Sequence, residues 1–272
     1  EGWRVINTLR GLDKMIAWDG TAAEDTDNAI ASTAGSSVLT FGAYFSSSNY
    51  SVEWFKAGTV SGRTSHSADA PPSLASTSSV NKTSGFGIMT FTGNDTLGAT
   101  VAHGMGTKPD LSIVRTVATG HNTRVASQHI GDGTHYLNVD ADHARAPSAD
   151  AWDDAPMTDT LITVGTSALS TNVVDVMVVF SWYNVPGFSN IGVVEGNNDP
   201  DGVVINTGVN PRTYITKQID ASNSWGKFTK SVEGYNRSFD PTPPVATGNL
   251  AMDTDAAASS TGLVDLLSTG VK

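Results

Sequence analysis

Apolar and polar residues alternate along short stretches of this chain, and turn-forming residues separate the stretches. Thr90-Phe91, Ile113-Val114-Arg115 and Leu161-Ile162-Thr163-Val164 place β-branched or aromatic side chains at a period of two, as in strands with one buried face. Gly93-Asn94-Asp95 and residues 196–199 are turn sequences, because Gly and Asn accept a positive φ. Connections this short exclude parallel crossovers, so the pattern predicts antiparallel sheets.

Two polar segments predict loops rather than further elements. Residues 59–81 are dominated by Ser, Thr and Ala around Pro71-Pro72, with few side chains to bury, which indicates an exposed loop or linker. The Ala-rich run 256–260 has no apolar stripe at helical spacing, so it predicts a loop as well.

The same pattern recurs along the chain. Gly85-Phe86 and Gly187-Phe188 lie 102 residues apart. After each pair come a strand-like stretch, a Gly-Asn turn (Gly93-Asn94, Gly196-Asn197), a Gly-x-x-Pro sequence and a further strand-like stretch. This period is close to the size of a small domain, so it predicts tandem modules rather than a solenoid.

We therefore predict three all-β modules, each an antiparallel β-sandwich-like unit with long polar loops. The first module covers residues 1–84, the second covers 85–185 and the third covers 186–272. The second holds a complete repeat, whereas the first lacks its front half and the third lacks its back half. We expect the sequence to come from a longer array.

Composition narrows the classes of function. Of the 272 residues, 27 are acidic and 16 basic, which gives a net charge of −11. Without a Lys/Arg stripe, binding to nucleic acid or to an anionic membrane surface is not expected. The longest apolar run, 173–180, is too short to span a bilayer. The absence of cysteine excludes disulfides and thiolate metal sites.

Four motifs in the chain resemble a repeat domain of phage tail-fibre and related virion proteins. The family pattern runs from Tyr/Phe-Thr-Gly-Asn-Gly through His-Gly-Leu-Gly-x-x-Pro-Asp to an Ile-Val-Lys/Arg strand, and a preceding block reads Trp-x-Val-x-x-Thr-x-Arg-Gly-Leu-Asp-Lys. The matching sequences are Phe91-Thr92-Gly93-Asn94, His103-Gly104-Met105-Gly106-Thr107-Lys108-Pro109-Asp110, Ile113-Val114-Arg115 and Trp3 to Lys14 followed by Asp19 to Glu24. The resemblance implies a virion structural role and carries over no catalytic residues.

Two groups of residues are candidate metal sites. The group formed by His129, His135, His143, Asp132, Asp140 and Asp142 matches no standard zinc spacing, so solvated loop side chains are favoured. Residues 197–202 offer several oxygens but lack EF-hand spacing, and a tight Asx turn accounts for them. We expect neither a metal nor a cofactor.

One group of residues is a candidate glycan site. Trp152 lies among Asp150, Asp153 and Asp154, an arrangement in which an indole stacks on a pyranose while carboxylates accept its hydroxyls. The alternative is that Trp152 buries its ring and pins the loop to the core. No nucleophile motif, phosphate loop or dinucleotide fingerprint occurs, and His103 is expected to serve a turn, so we expect no enzymatic activity.

These observations favour a structural or receptor-binding component of a phage virion, such as a tail fibre, spike or capsid decoration. Its expected partners are other virion structural proteins, host-surface glycans and further copies of itself, with a trimer as the assumed oligomer. Its expected location is the virion, outside the host cell. The alternatives are a cell-surface carbohydrate-binding adhesin module and, less favoured, a polysaccharide depolymerase.

Overall fold

The structure is a computed structural model that describes residues 3–26, 30–31, 40–41, 52–63, 71–199, 202–229, 250–251 and 267–272. The chain is nearly all β, and every pair of adjacent strands in its sheets is antiparallel. Both the all-β fold class and the antiparallel pairing predicted from the sequence are confirmed. In the described residues, no helix is both long and apolar enough to cross a membrane.

An eight-stranded sheet forms the centre of the molecule. In chain order its strands are β5 (Val60–Arg63), β6 (Ser76–Asn81), β7 (Phe86–Thr92), β9 (Leu111–Thr116), β10 (Arg124–Ser127), β11 (His135–Asn138), β12 (Ala146–Pro147) and β14 (Val176–Trp182). Their order across the sheet is β12-β11-β10-β9-β14-β7-β6-β5, so β14 lies between β9 and β7. β14 pairs with β7 over all seven of its residues and with β9 from Met177 to Trp182, so it is the central strand of the second module.

Smaller sheets surround this one. They are built from β1 (Arg4–Asn7) with β2 (Gly11–Ala17), β3 (Ile30–Ala31) with β4 (Thr40–Phe41), β8 (Ala99–Ala102) with β13 (Leu161–Val164), β15 (Ile205–Asn206) with β19 (Gly270–Val271), and β16 (Thr213–Thr216) with β17 (Gly226–Thr229) and β18 (Leu250–Ala251). The described helical segments are short: α1 (Ala149–Trp152) and a 3-10 turn at Ser167–Leu169.

The central sheet is apolar on both faces. Along β14, Met177 and Val179 join a cluster that includes β8 and β13, whereas Val178 and Phe180 join a cluster with Ile16 of β2. A third cluster around Val125 on the same face as β2 includes the partly buried Trp3, Trp18, Ile219 and Trp225. The central sheet therefore forms the middle of three packed layers. β8 and β13 cover one of its faces, and residues of the first and third modules cover the other.

Two predictions about organisation need correction. The boundary predicted near residue 84 does not separate two units, because β6 and β7 on either side of it pair over six residues. The predicted exposed loop 59–81 contains β5 and β6. Ser76 and Ser79 in this segment are buried, and their hydroxyls donate to the carbonyls of Ala102 (2.7 Å) and Gly58 (2.6 Å). Small hydroxyl side chains can thus form a sheet interior when each hydroxyl has an acceptor. Residues 64–70 and the Ala-rich run 256–260 lie outside the described residues.

A buried arginine joins the first module to the second. Arg115 of β9 is fully buried. Its guanidinium donates to three backbone carbonyls, those of His121 (2.6 Å), Ala22 (2.6 Å) and Ala17 (3.5 Å). Burial lowers the pKa of Arg115, and the charge of Asp140 opposes that shift. Two of the three acceptors belong to the first module, so this side chain sets the position of the first module on β9.

A buried lysine joins the first module to the third. The Lys227 ammonium lies 3.0 Å from the Glu53 carboxylate and 4.0 Å from the centre of the Trp3 ring. Glu53 also accepts a 2.7 Å hydrogen bond from the Thr213 hydroxyl. Burial lowers the pKa of Lys227, and Glu53 opposes the shift. The Trp225 indole N–H donates to the carbonyl of Asn138 (2.6 Å) in the second module, so all three modules are connected by buried polar contacts.

We predict that Arg115→Met lowers the free energy of unfolding by about 3 kcal/mol, because methionine keeps much of the volume but leaves three carbonyls without their donor. Urea unfolding followed by tryptophan fluorescence measures the change. Arg145→Met is the matched control, since Arg145 pairs at the surface with Asp220, and it should cost less than about 0.5 kcal/mol. Equal midpoints for the two variants would contradict the role assigned to Arg115.

Candidate functional site

The sequence-predicted glycan site is divided between the core and the surface. Trp152, the last residue of α1, is only 1% exposed and packs in the cluster that holds Met89, Phe91 and Met177. Its indole N–H has no hydrogen-bond partner within the described part of the chain. The indole therefore offers no face to a pyranose, and the prediction that it stacks on a sugar is wrong. The alternative, that Trp152 pins its loop to the core, is confirmed.

The three carboxylates of this group do lie at the surface. Asp150, Asp153 and Asp154 are all exposed, and the backbones of Asp153 and Asp154 are left-handed (φ 56° and 51°). The turn that ends α1 thus directs the acids outward while the indole points inward. The four residues are neighbours in the sequence, but the ring is in the core and the carboxylates are at the surface.

The histidine and aspartate group is dispersed over separate contacts. His129 lies 3.3 Å from Asp110, the His135 ring nitrogen lies 2.8 Å from the Thr134 hydroxyl, and Asp132 pairs with Lys108 at 2.6 Å. Asp140 accepts from the Asn122 side chain (2.9 Å) and the Thr123 N–H (3.2 Å), while His143 and Asp142 are exposed. Burial raises the pKa of Asp140, and these hydrogen bonds oppose the shift. No three His, Asp or Glu side chains in the described residues converge as metal ligands.

The loop at 197–202 contains a tight turn. The Asn197 side-chain carbonyl accepts from the Asp199 N–H at 3.1 Å, and its amide donates to the Gly202 carbonyl at 3.1 Å. These two contacts form an Asx turn, the alternative to a calcium site at residues 197–202. Residues 200 and 201 lie outside the described residues.

The first family-like motif holds a turn. The Asn172 side chain accepts from the Asn94 N–H (2.9 Å) and donates to the Asn94 side chain (2.9 Å) and the Thr96 carbonyl (2.9 Å). A side chain at Gly93 would overlap the Val173 carbonyl, since an added Cβ would lie 2.0 Å from its oxygen. Gly93 and Asn94 are therefore required for this turn to pack against Asn172, a residue that the sequence patterns did not single out.

The His-Gly-Met-Gly motif is also structural. His103 is buried; one ring nitrogen accepts from the Met105 N–H (3.2 Å) and the other lies 3.2 Å from the Thr158 carbonyl. Because the first nitrogen accepts, the second must carry the proton and donate, which describes a neutral imidazole. The expectation that His103 serves a turn is confirmed.

Asp110 closes the same motif. Its carboxylate accepts from the Asn184 N–H (2.7 Å) and the Gln128 amide, and its own N–H donates to the Trp182 carbonyl (2.8 Å). These contacts connect the start of β9 to the residues that follow β14. Asp110 thus joins the start of β9 to the C-terminal end of the second module.

The block near the N-terminus has a similar role. Arg10 and Lys14 flank Glu24 as an ion-pair group, with Lys14 at 3.6 Å from the carboxylate. Burial lowers the pKa of Arg10 to about 10. The Thr21 carbonyl accepts from the Gly120 N–H (2.8 Å), and the Ala22 carbonyl accepts from Arg115 as described above. The block therefore organises the contact between the first and second modules.

Comparison with known proteins adds a family without an assigned activity. A family model described as "Domain of unknown function (DUF7483)" matches residues 2–272. The chain belongs to the DUF7483 family. The match covers all three modules of this DUF7483 chain as one unit, in agreement with the strands and buried side chains that cross their predicted boundaries. No curated protein and no solved structure matches the chain significantly.

We predict that Trp152→Ala destabilises the DUF7483 chain by about 3–5 kcal/mol, because it leaves a large cavity in the core. Urea unfolding measures the loss. Asp154→Asn is the control: it is exposed, and asparagine tolerates its left-handed backbone, so it should change stability by less than about 0.5 kcal/mol. If Trp152→Ala unfolds at the native urea concentration, the ring is not part of the core.

Proposed function

We propose that this chain is a non-enzymatic structural segment of a bacteriophage virion, acting in a tail fibre, spike or capsid decoration. The observation that carries the proposal is the use made of the motifs that resemble phage tail-fibre repeats. Gly93-Asn94, His103 and Asp110 all hold turns or join strands within the second module. Motif residues of this kind favour a scaffold role over catalysis.

The contacts between modules support a structural role. Arg115 and Lys227 are buried and join the modules through backbone carbonyls, a carboxylate and an aromatic ring. Separating the modules would expose these cations and leave their acceptors unpaired, a cost that adds to the loss of apolar packing. Because the chain has no cysteine, packing and these polar contacts hold the modules together without disulfides.

The proposed partners are neighbouring structural proteins of the virion and further copies of this chain, with a trimer as the proposed oligomer. Contact with a host-surface glycan would use the exposed loops. The adhesin alternative has lost its stacking residue, since Trp152 is buried. The exposed Asp150, Asp153 and Asp154 still allow that alternative to be tested on a glycan array, with the triple Asp→Asn variant as the comparison.

We predict that the chain copurifies with phage particles. Particles released from cells that carry the gene would be banded on a density gradient and their proteins identified by mass spectrometry. Peptides of this chain should follow the major structural proteins through the gradient, and a cryo-EM reconstruction should place the chain on the tail or capsid. Its absence from purified particles, or its recovery on a cell surface, would refute the virion role.

We also predict that the purified chain has a solution mass of three times its 28.3 kDa chain mass. Size-exclusion chromatography with light scattering measures the mass across a range of protein concentrations. A monomer at the highest concentration would refute the trimer for this chain while leaving the location on the particle to the gradient experiment.

A further inference from the structure

Lys227 is a buried amine at the contact between the first and third modules. It belongs to β17, the middle strand of the three-stranded sheet in the third module, and only 3% of its surface is exposed. Its Nζ lies 3.0 Å from Oε2 of Glu53 and 4.0 Å from the centre of the Trp3 ring. The amine and the carboxylate therefore meet where little water reaches them.

The Glu53 carboxylate is held through both of its oxygens. Oε2 faces Lys227, and Oε1 accepts a 2.7 Å hydrogen bond from the Thr213 hydroxyl. β16 pairs with β17 so that Ile215 lies opposite Lys227 and Thr213 lies opposite Thr229. Opposed residues of an antiparallel pair share a face with residues two positions away. Thr213 and Lys227 thus project from one face of this sheet and fix the carboxylate between a hydroxyl and an amine.

Burial favours the uncharged forms of an amine and a carboxylic acid that face each other. It lowers the pKa of Lys227, although Glu53 opposes the shift. Transfer of one proton from Nζ to Oε2 across the 3.0 Å contact converts the ion pair into a neutral amine and a neutral carboxylic acid. The neutral amine is a nucleophile. Its fixed position beside the carboxyl group supplies the proximity that the same groups lack when they are free in water.

We propose that Lys227 and Glu53 condense into an amide bond that joins the third module covalently to the first. The Nζ lone pair attacks Cδ of Glu53, and the hydrogen bond from the Thr213 hydroxyl stabilises the negative charge that develops on Oε1. The Cδ–Oε2 bond then breaks. Oε2 leaves as water with its own proton and one proton from Nζ, and Nζ keeps its remaining hydrogen in the amide. The reaction changes no oxidation state and needs no co-reactant.

This inference goes beyond the proposed function, because the amide bond is a property of the purified chain. The bond closes a loop between residues 53 and 227, and it restricts the unfolded chain as a disulfide does in proteins that have cysteine. Failure of the virion role would leave the amide bond standing. Absence of the amide bond would likewise leave the virion role to the gradient experiment.

The mass of the native full chain tests the proposal without any variant. After incubation of the folded protein, the denatured chain should be lighter than its sequence by the mass of one water. Trypsin does not cleave after an acylated lysine, so the digest should contain residues 15–56 joined to residues 218–230 as one branched peptide. Fragmentation should place the branch at Glu53 and Lys227. A chain of full sequence mass, or a loss of water confined to other peptides, would overturn the proposal.

Lysine variants separate the amide from other losses of water. Lys227→Met should restore the full sequence mass. Lys217→Met is the matched control in the same module, since the Lys217 Nζ contacts the carbonyls of Asp142 and Gln218, and it should keep the deficit of one water. A deficit that persists in Lys227→Met would refute the amide, because the bond would then be an ester to Thr213 or a succinimide.

The part assigned to Thr213 has its own test. Thr213→Val keeps the shape of the side chain but removes the hydroxyl that donates to Oε1, so the amide should form about a hundredfold more slowly. The linked fraction is measured by intact mass at successive times after synthesis. Thr216→Val, which changes an exposed residue on the opposite face of β16, should react as the native chain does. Equal rates in the two variants would overturn the step assigned to Thr213.

Discussion

The central sheet is apolar on both faces, and the rest of the structure depends on that constraint. Val178 and Phe180 alternate with Met177 and Val179 along β14, so neither face can be left to water. Strands β8 and β13 cover one face, and the other is covered by β1·β2 and by tryptophans of the first and third modules. The first and third modules therefore pack on the second module and do not form independent domains along the chain.

Buried cations fix how these layers meet. Arg115 is satisfied mainly by backbone carbonyls, which lie at positions set by the chain path and cannot follow a displaced guanidinium. A shift of the first module along β9 would leave donors and acceptors unpaired, so the polar contacts select one register among the many that apolar packing alone would allow. Arg124 acts similarly within the second module, donating to the Leu169 carbonyl (2.8 Å) while lying over the Tyr136 ring.

The strands that were predictable from the sequence are those in which burial shows in the residue types. Alternation identified β7, β9 and β13, and the Gly-Phe pairs identified the repeat. The sequence pattern did not predict β5 and β6, because their buried side chains include Ser residues whose hydroxyls donate to carbonyls. The acidic neighbours of Trp152 suggest exposure, so the sequence leaves both a sugar-stacking role and a core-packing role open for its ring. Asn172 and Arg115 form hydrogen bonds with residues that are separated from them by between 76 and 98 positions in the sequence. No local sequence pattern contains that information.

Differences between the two repeats separate motif residues that shape local turns from those that join the halves of a repeat. The Gly-Asn turn, the left-handed Gly104 and Gly208, and Pro109 and Pro211 persist in both modules. Thr207 takes the place of His103, and its hydroxyl accepts from the N–H two residues later, as the His103 ring does. Asp110, which contacts residues after β14, is replaced by Arg212. The local turn therefore persists, whereas the contact that Asp110 makes with the residues after β14 does not.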